Sequence, residues 1–217
     1  MNFETARFNM IEQQIRPWDV LDQSVLDLLT LVKREEFVPE QYRNLAFVDR
    51  EIPLPHGQVM LAPKVEARLL QELAIEPDEI ALEIGTGSGY MAALLANKAK
   101  HVTSVEIIEE LKDFAATNLL RADIRNVTLT LGDGAQGFPS AGQFDVLVVS
   151  GSLPVVPQAL LDQLTVGGRM AVIVGDAPAM RAQIITRTSA DAWEPVVLFE
   201  TVAMPLINAL QPSRFTF

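Results

Sequence analysis

The chain has 217 residues, 49% of them hydrophobic, and 28 acidic against 17 basic side chains give it a formal net charge of −11. That length suits one large domain or one domain with an appendage, and the composition allows a full core. The acidity argues against a nucleic-acid partner, the absence of cysteine removes disulfide and thiolate chemistry, and two widely separated histidines offer little to a metal. No apolar run approaches the roughly 20 residues of a membrane span. The opening Met1-Asn2-Phe3-Glu4-Thr5-Ala6-Arg7 lacks the apolar follow-on of a signal peptide. A soluble cytoplasmic protein is expected, with no membrane partner.

Residues 1–35 read as helical. Met10, Ile11 and Ile15 share a face before Arg16-Pro17-Trp18-Asp19 interrupts, with Trp18 as a packing anchor. From Val20 to Lys33, Leu21, Val25, Leu28, Leu29 and Val32 fall at helical spacing, and Asp22 and Ser24 are candidate N-terminal caps. Phe37-Val38-Pro39 closes this element. Residues 40–62 are mostly connector: a short helix over Glu40 to Val48, then a stretch in which Pro53, Pro55 and Gly57 exclude a regular helix. An irregular segment of about 20 residues inside a domain is often functional. Pro63 suits the first turn of a helix running to Ala74, with Val65, Leu69, Leu70 and Leu73 inward.

From Ile80 onward the period changes. Ile80 to Ile84 is an apolar strand, Gly85, Gly87 and Gly89 follow at alternate positions, and Tyr90 to Ala96 is a helix. Strand, glycine turn and helix open a nucleotide-binding βαβ unit. The dinucleotide fingerprint wants its third glycine one position later, where Tyr90 stands, so a dehydrogenase is disfavoured. Glu83, two residues before the first glycine, would repel a pyrophosphate; it suits a ligand with a cationic amino-acid end, as S-adenosylmethionine has. A second strand, His101 to Glu106, ends in an acid placed to accept ribose hydroxyls. A third, Val127 to Leu131, runs into Gly132-Asp133-Gly134, where Asp133 can meet an adenine amine. These three acid-tipped strands are expected to form one crevice.

A helix over Ile108 to Ala122 precedes the third strand. Phe144 to Val149 reads as a buried strand, Pro157 to Leu164 as a helix ended by Gly167-Gly168, and Met170 to Val174 as a fifth strand. Gln183 to Arg187 and Val196 to Val202 read as an antiparallel pair. The fold class is therefore α/β: a Rossmann-like, class I S-adenosylmethionine methyltransferase plan, mostly parallel, with a C-terminal antiparallel hairpin and a preceding N-terminal helical segment. Residues 1–75 form that helical segment with an acceptor loop packed on the core, and residues 76–217 form the methyltransferase core. Phe215 and Phe217, in the tail from Leu206 to Phe217, are candidates to dock on the body.

Several stretches together resemble the protein-L-isoaspartate O-methyltransferase family over residues 10–206. They are Arg34-Glu35-Glu36-Phe37-Val38-Pro39, Ala46-Phe47-Val48-Asp49 with Ile52-Pro53-Leu54-Pro55, Leu82-Glu83-Ile84-Gly85-Thr86-Gly87-Ser88-Gly89-Tyr90, Val102 to Glu106, Gly132-Asp133-Gly134, Phe144-Asp145, and Gln163-Leu164 through Gly167-Gly168-Arg169. The resemblance implies methyl transfer from S-adenosylmethionine to an isoaspartyl carboxylate, whose ester collapses to a succinimide that reopens partly to aspartate. It implies a protein or peptide substrate, a monomer or homodimer, and a cofactor site made by Glu83, Gly85, Thr86, Gly87, Ser88, Gly89, Glu106, Asp133 and Gly134.

The departure is at the acceptor. The family pattern Gly-x-Thr-x-Ser-x-Pro stands here as Gly57-Gln58-Val59-Met60-Leu61-Ala62-Pro63. Leu61 occupies the position of the serine that faces the reacting carboxylate, and Val59 that of the threonine, so no catalytic residue is assigned. The acceptor group is taken as Val59, Met60 and Leu61, with His56 or Lys64 as replacement cations, His56 being alternatively an ordinary loop histidine. Two other readings fit the same residues: a paralogue with the same cofactor site and a less polar acceptor, and a cofactor-binding module that no longer transfers methyl groups.

Overall fold

In the computed structural model, residues 2–138, 140 and 142–212 are described; Phe215 and Phe217 lie outside them. The chain opens with α1 (Phe3–Met10), a π-helical segment Ile11–Ile15 and a 3-10 turn Arg16–Trp18, ended by Asp19 in the left-handed region at φ 60°. Trp18 packs edge-on against Phe199, ring centroids 4.7 Å apart, and under the Lys64 ammonium at 4.4 Å. The next helix, α2 (Gln23–Leu31), is capped by the Asp22 carboxylate, which accepts from the Ser24 N–H at 2.8 Å. Leu21 therefore precedes the helix instead of lying on its inward face, and it is 68% exposed. Two 3-10 segments follow, Arg34–Glu36 and Glu40–Leu45.

The expected connector contains a small hairpin. β1 (Ile52–Pro53) pairs antiparallel with β2 (Val59–Met60) around a turn at Pro55–Gly57. Then comes α3 (Pro63–Leu73), and from there strands and helices alternate: β3 (Ile80–Ile84), α4 (Tyr90–Ala96), β4 (His101–Glu106), α5 (Glu109–Arg121), β5 (Val127–Leu131), β6 (Phe144–Leu153), α6 (Gln158–Asp162), β7 (Leu164–Asp176), β8 (Ala179–Ser189) and β9 (Ala192–Thr201).

Among the described residues these strands form a seven-stranded sheet in the order β5-β4-β3-β6-β7-β8-β9. β5 through β7 are parallel; β8 and β9 extend the edge antiparallel. Strand alternation sorts side chains onto two faces. Ala81, Val102, Val146, Val148 and Ala171 face one apolar layer, which also holds Met10, Ile15, Leu29 and Phe37 of the N-terminal segment. Leu82, Ile84, Leu147, Val149 and Met170 face the other, closed by Leu160 of α6.

Gly167-Gly168 does not end a helix. α6 stops at Asp162, and both glycines lie inside β7, where Phe144 pairs Leu164 but Val146 already pairs Arg169. The strand bulges there. Gly167 takes φ +88°, and a Cβ on Gly168 would sit 3.0 Å from the carbonyl oxygens of Phe144 and Asp145. A left-handed glycine serves a bulge as readily as a helix terminus. A second irregularity is on β6: Val148 pairs Ala171 and Ser152 pairs Ile173, so Val149-Ser150-Gly151 stand opposite Val172 alone.

One buried cation knits the N-terminal segment to the core. Arg34 is fully buried. It pairs with Glu66 of α3, donates to the carbonyls of Ala46 (3.1 Å) and Leu61 (2.5 Å), and lies 4.9 Å from the Tyr90 ring centroid. Removing one member of such a pair leaves an uncompensated buried charge. Arg34→Ala is expected to lower unfolding free energy by about 3–5 kcal/mol in urea titration, and Arg34→Met with Glu66→Leu to recover most of it. A loss below about 1 kcal/mol in the single variant, the range of exposed pairs, would show that the pair does not hold the segment.

Candidate functional site: two adjoining cavities at the strand tips

β3 ends at Ile84, and the chain must turn at once over its own tip. Gly85 does so at φ +92°, its N–H donating to the Val105 carbonyl at 2.9 Å; a side chain there would press on Leu206 at 3.3 Å. Gly89, at φ +81°, starts α4 and lies so close to α5 that a Cβ would sit 3.1 Å from that of Ala115. Glu106, at the tip of β4, fastens the turn. Its Oε2 accepts the Gly87 N–H at 2.8 Å and its Oε1 the Ile108 N–H at 3.0 Å.

A crevice of about 510 Å³ runs over these tips. Gly85, Gly87, Glu106, Asp133 and Gly134 line it, with Val59 on the side of the small hairpin. Asp133 accepts the Ala135 N–H at 3.0 Å on Oδ1 and the Asn208 side-chain amide at 2.9 Å on Oδ2. Asn208 belongs to a C-terminal strap. Ser152 N–H donates to the Met204 carbonyl and Leu206 N–H to the Ser152 carbonyl, laying Leu206 and Ile207 along the crevice.

A smaller cavity of about 260 Å³ adjoins the first, sharing Val59, Gly85, Gly87 and Ser150 with it. Val59, Met60 and Leu61 line this space, as do Thr86, Ser88, Glu66 and Glu83. Glu83 is fully buried. Ser104 Oγ donates to its Oε2 at 2.6 Å and Ser150 Oγ to its Oε1 at 2.8 Å. Burial pushes its carboxyl up to about 8; the two serine hydroxyls pull the other way, and the Glu106 and Glu66 charges add to the rise. Burial likewise raises Glu66, while the Arg34 guanidinium restrains it.

The three strand-tip acids are thus divided: Glu106 and Asp133 line the crevice, and Glu83 lines the adjoining cavity. Gly89 lines neither and sits beneath, against α5. His56 and Lys64 are not brought to the cavity. His56 is exposed, with its Nε2 2.7 Å from Glu110. Lys64 Nζ is 2.7 Å from Asp49, turned away onto Trp18. Sequence reasoning missed Ser104, Ser150, Glu66 and the strap. Glu66 did leave a signal, because it lies three, four and seven positions before the inward residues Leu69, Leu70 and Leu73 of α3. Among the described residues no cluster of three or more His, Asp or Glu is arranged to hold a metal, and no helix is long and apolar enough to cross a membrane.

A parallel sheet extended by an antiparallel hairpin, with a glycine turn after β3 and an acid at the end of β4, defines a Rossmann-like methyltransferase fold. The family model of protein-L-isoaspartate(D-aspartate) O-methyltransferase matches residues 6–210, and the chain belongs to that family. It is 41% identical to protein-L-isoaspartate O-methyltransferase 1 of Rhodopseudomonas palustris, over 95% of this chain and 85% of the relative. Identity to the protein-L-isoaspartate O-methyltransferase of Staphylothermus marinus is 39%, over 95% and 96%. Among solved structures, a Plasmodium falciparum protein described as a protein-L-isoaspartate O-methyltransferase, in complex with S-adenosyl-L-homocysteine, superposes with a TM-score of 0.81 at 21% identity, covering 95% of this chain and 99% of that one.

The environment of Glu83 makes stability depend on pH. An acid whose folded pKa is raised keeps a proton that the unfolded chain releases, so stability falls as pH rises between the unfolded and folded values. For Glu83 that window is from 4.5 to about 8. The unliganded protein is expected to lose on the order of a few kcal/mol across it, and Glu83→Gln to flatten the slope. Equal slopes for both proteins in urea titrations at pH 5 and pH 8 would mean that Glu83 ionises freely in the fold.

Proposed function

We propose that the chain transfers the methyl group of S-adenosylmethionine to the carboxylate of an isoaspartyl residue in a damaged protein or peptide. The observation that carries this reading is the adjacency of the two cavities across Gly85, Gly87 and Ser150. One is lined by polar strand-tip groups and the other by the segment aligned with the family's acceptor loop. The crevice suits the cofactor. Gly85 turns over the β3 tip at φ +92°, where a side chain would be strained and would press on Leu206. Each Glu106 oxygen takes one backbone N–H, which leaves further lone pairs for ribose hydroxyls. Asp133 stands ready for the adenine amine, and Asn208 on its Oδ2 limits the approach to that edge. Thr86 and Ser88 line the adjoining cavity, beside the shared residues Gly85 and Gly87. Bound there, S-adenosylmethionine supplies an activated methyl.

An acceptor carboxylate has an unperturbed pKa of roughly 4 and is ionised at pH 7. No general base is needed; the protein must align the oxygen with the methyl and hold it. Replacing the family's threonine and serine by Val59 and Leu61 removes two donors, each worth roughly 1.5–3 kcal/mol when the partner is charged. A second reading keeps the cofactor and changes the acceptor. It is favoured by the apolar wall of Val59, Met60 and Leu61 and by the two carboxyl groups, Glu66 and Glu83, in the same cavity. A cofactor-binding module without transfer is the third. On all three, residues 1–75 carry the acceptor loop and residues 76–217 the cofactor site. The partner is protein or peptide, not nucleic acid, given the charge of −11; the protein is a cytoplasmic monomer or homodimer.

Labelled S-adenosylmethionine offered with paired isoaspartyl and aspartyl peptides, scored as base-labile ester, tests the reading. Isoaspartyl-selective transfer is expected; cofactor binding without transfer to either peptide would move the search to other acceptors. Glu106→Ala and Gly85→Val are each expected to abolish S-adenosylhomocysteine binding in calorimetry, and unchanged affinity in both would remove the site assignment. Val59→Thr with Leu61→Ser is expected to raise isoaspartyl transfer about tenfold or more, one donor being worth at least a decade. Unchanged rates would show that the absent hydroxyls are not limiting.

A further inference from the structure

Segment 57–63 contains no serine or threonine, yet hydroxyls border the acceptor cavity from elsewhere. Ser150 lines the cofactor crevice, the acceptor cavity and a third, outer space of about 260 Å³ beside the strap. Val59 is the other residue common to all three, and it is apolar. Ser150 reaches this junction because β6 bulges at Val149-Ser150-Gly151, just past its last pair with β3, Ile84 with Val149. Behind it runs a continuous polar chain. Thr86 Oγ1 lies 2.6 Å from Ser104 Oγ, Ser104 Oγ 2.6 Å from Glu83 Oε2, and Glu83 Oε1 2.8 Å from Ser150 Oγ. Thr86, Ser104 and Glu83 are buried, and both ends of the chain, Thr86 and Ser150, line the acceptor cavity.

Counting protons shows what this chain offers. With Glu83 neutral, three hydroxyls and one carboxyl hold four protons for three contacts. One O–H is left over: it emerges at Ser150 when the Glu83 proton turns to Ser150 and reverses that contact, and at Thr86 when it turns to Ser104. With Glu83 ionised, three protons fill three contacts, and Ser150 presents only lone pairs. We propose that the Thr86–Ser104–Glu83–Ser150 chain supplies the O–H donor that Val59 and Leu61 lack, Ser150 Oγ being the group that touches the acceptor carboxylate. The assignment rests on the isoaspartyl reading above. Burial favours the neutral form of Glu83. The charged groups facing Glu83 are Glu106 of β4 and Glu66 of α3, the latter paired with Arg34; both acids work in the same direction. Glu83 thereby becomes a positioning residue that sets which way the Ser150 proton points.

The test uses the full chain loaded with S-adenosylhomocysteine and titrated with an isoaspartyl peptide in a calorimeter, beside steady-state kinetics with S-adenosylmethionine. Ser150→Ala is expected to weaken peptide binding and raise KM about 10- to 100-fold, the worth of one charge-assisted hydrogen bond. S-adenosylhomocysteine affinity should hold within about twofold, and Ser150→Thr should recover peptide binding. Wild-type peptide affinity should decline above about pH 8. An acceptor with a pKa near 4 does not titrate there, and Glu83→Gln should lose that decline whatever affinity remains. The proposal is overturned if Ser150→Ala binds peptide like the wild type. It is equally overturned if that variant loses S-adenosylhomocysteine as strongly as peptide, since Ser150 would then serve the cofactor. Wild-type protein that neither binds nor methylates the peptide removes the isoaspartyl reading itself and this assignment with it.

Discussion

The direction of winding changes at β3. The chain passes from β3 outward to β4 and β5 on one side, then returns to place β6 against the opposite edge of β3. The connections that leave the tips of β3 and β6 therefore diverge, and a gap opens between them above the sheet. Polar groups of the site come from the C-terminal ends of these strands: Glu83 at the end of β3, Glu106 at the end of β4, Asp133 after β5, and Ser150 in the bulge of β6. The glycine turn exists because the backbone must fold back directly over the β3 tip without filling the space. The N-terminal hairpin and the C-terminal strap then wall it from two sides, through Val59 and Leu206.

Two glutamates show how position within this gap sets chemistry. Glu106 takes two backbone N–H bonds, one on each carboxylate oxygen. Glu83 is enclosed, with no cation among its hydrogen-bond partners, only two serine hydroxyls, and with two further acids nearby. The same side chain thus meets two different surroundings at the ends of adjacent strands, β3 and β4.

Much of the frame was legible because its signals are local. Apolar runs, the Gly85-Thr86-Gly87-Ser88-Gly89 turn and acids at strand ends all lie within a few residues of one another, so the succession of strands and helices, the crevice and two of its acids follow from spacing. What was not legible depends on pairing across the sequence. Ser150 and Glu83 are 67 positions apart, and Asp133 and Asn208 are 75 apart; nothing near either serine distinguishes it from an ordinary polar strand end. Gly167-Gly168 misled for a related reason. A left-handed glycine marks a break in periodicity, and whether the break ends a helix or bulges a strand is decided by the partner strand. Leu21 fits the helical period but lies outside the helix, because the Asp22 cap sets the first turn one step later.

The altered acceptor segment follows from the same distinction between backbone and side chain. Its path is fixed by features that survive in this sequence. His56 and Gly57 take positive φ at the turn, β1 pairs with β2, Arg34 binds the Leu61 carbonyl, and Pro63 opens α3. None of these needs a hydroxyl at positions 59 or 61. The loop holds its place while Val59 and Leu61 present methyl groups to the cavity. A carboxylate entering such a cavity would meet the backbone N–H groups of Val59 to Leu61 on the loop side and Ser150 of β6 on another wall. There the bulge and Gly151, pressed against Leu206 where a Cβ would lie at 2.9 Å, leave Ser150 as the side chain facing the gap from that strand. On the proposed assignment, the acceptor's hydroxyl donor comes from a core strand and not from the loop of the family pattern.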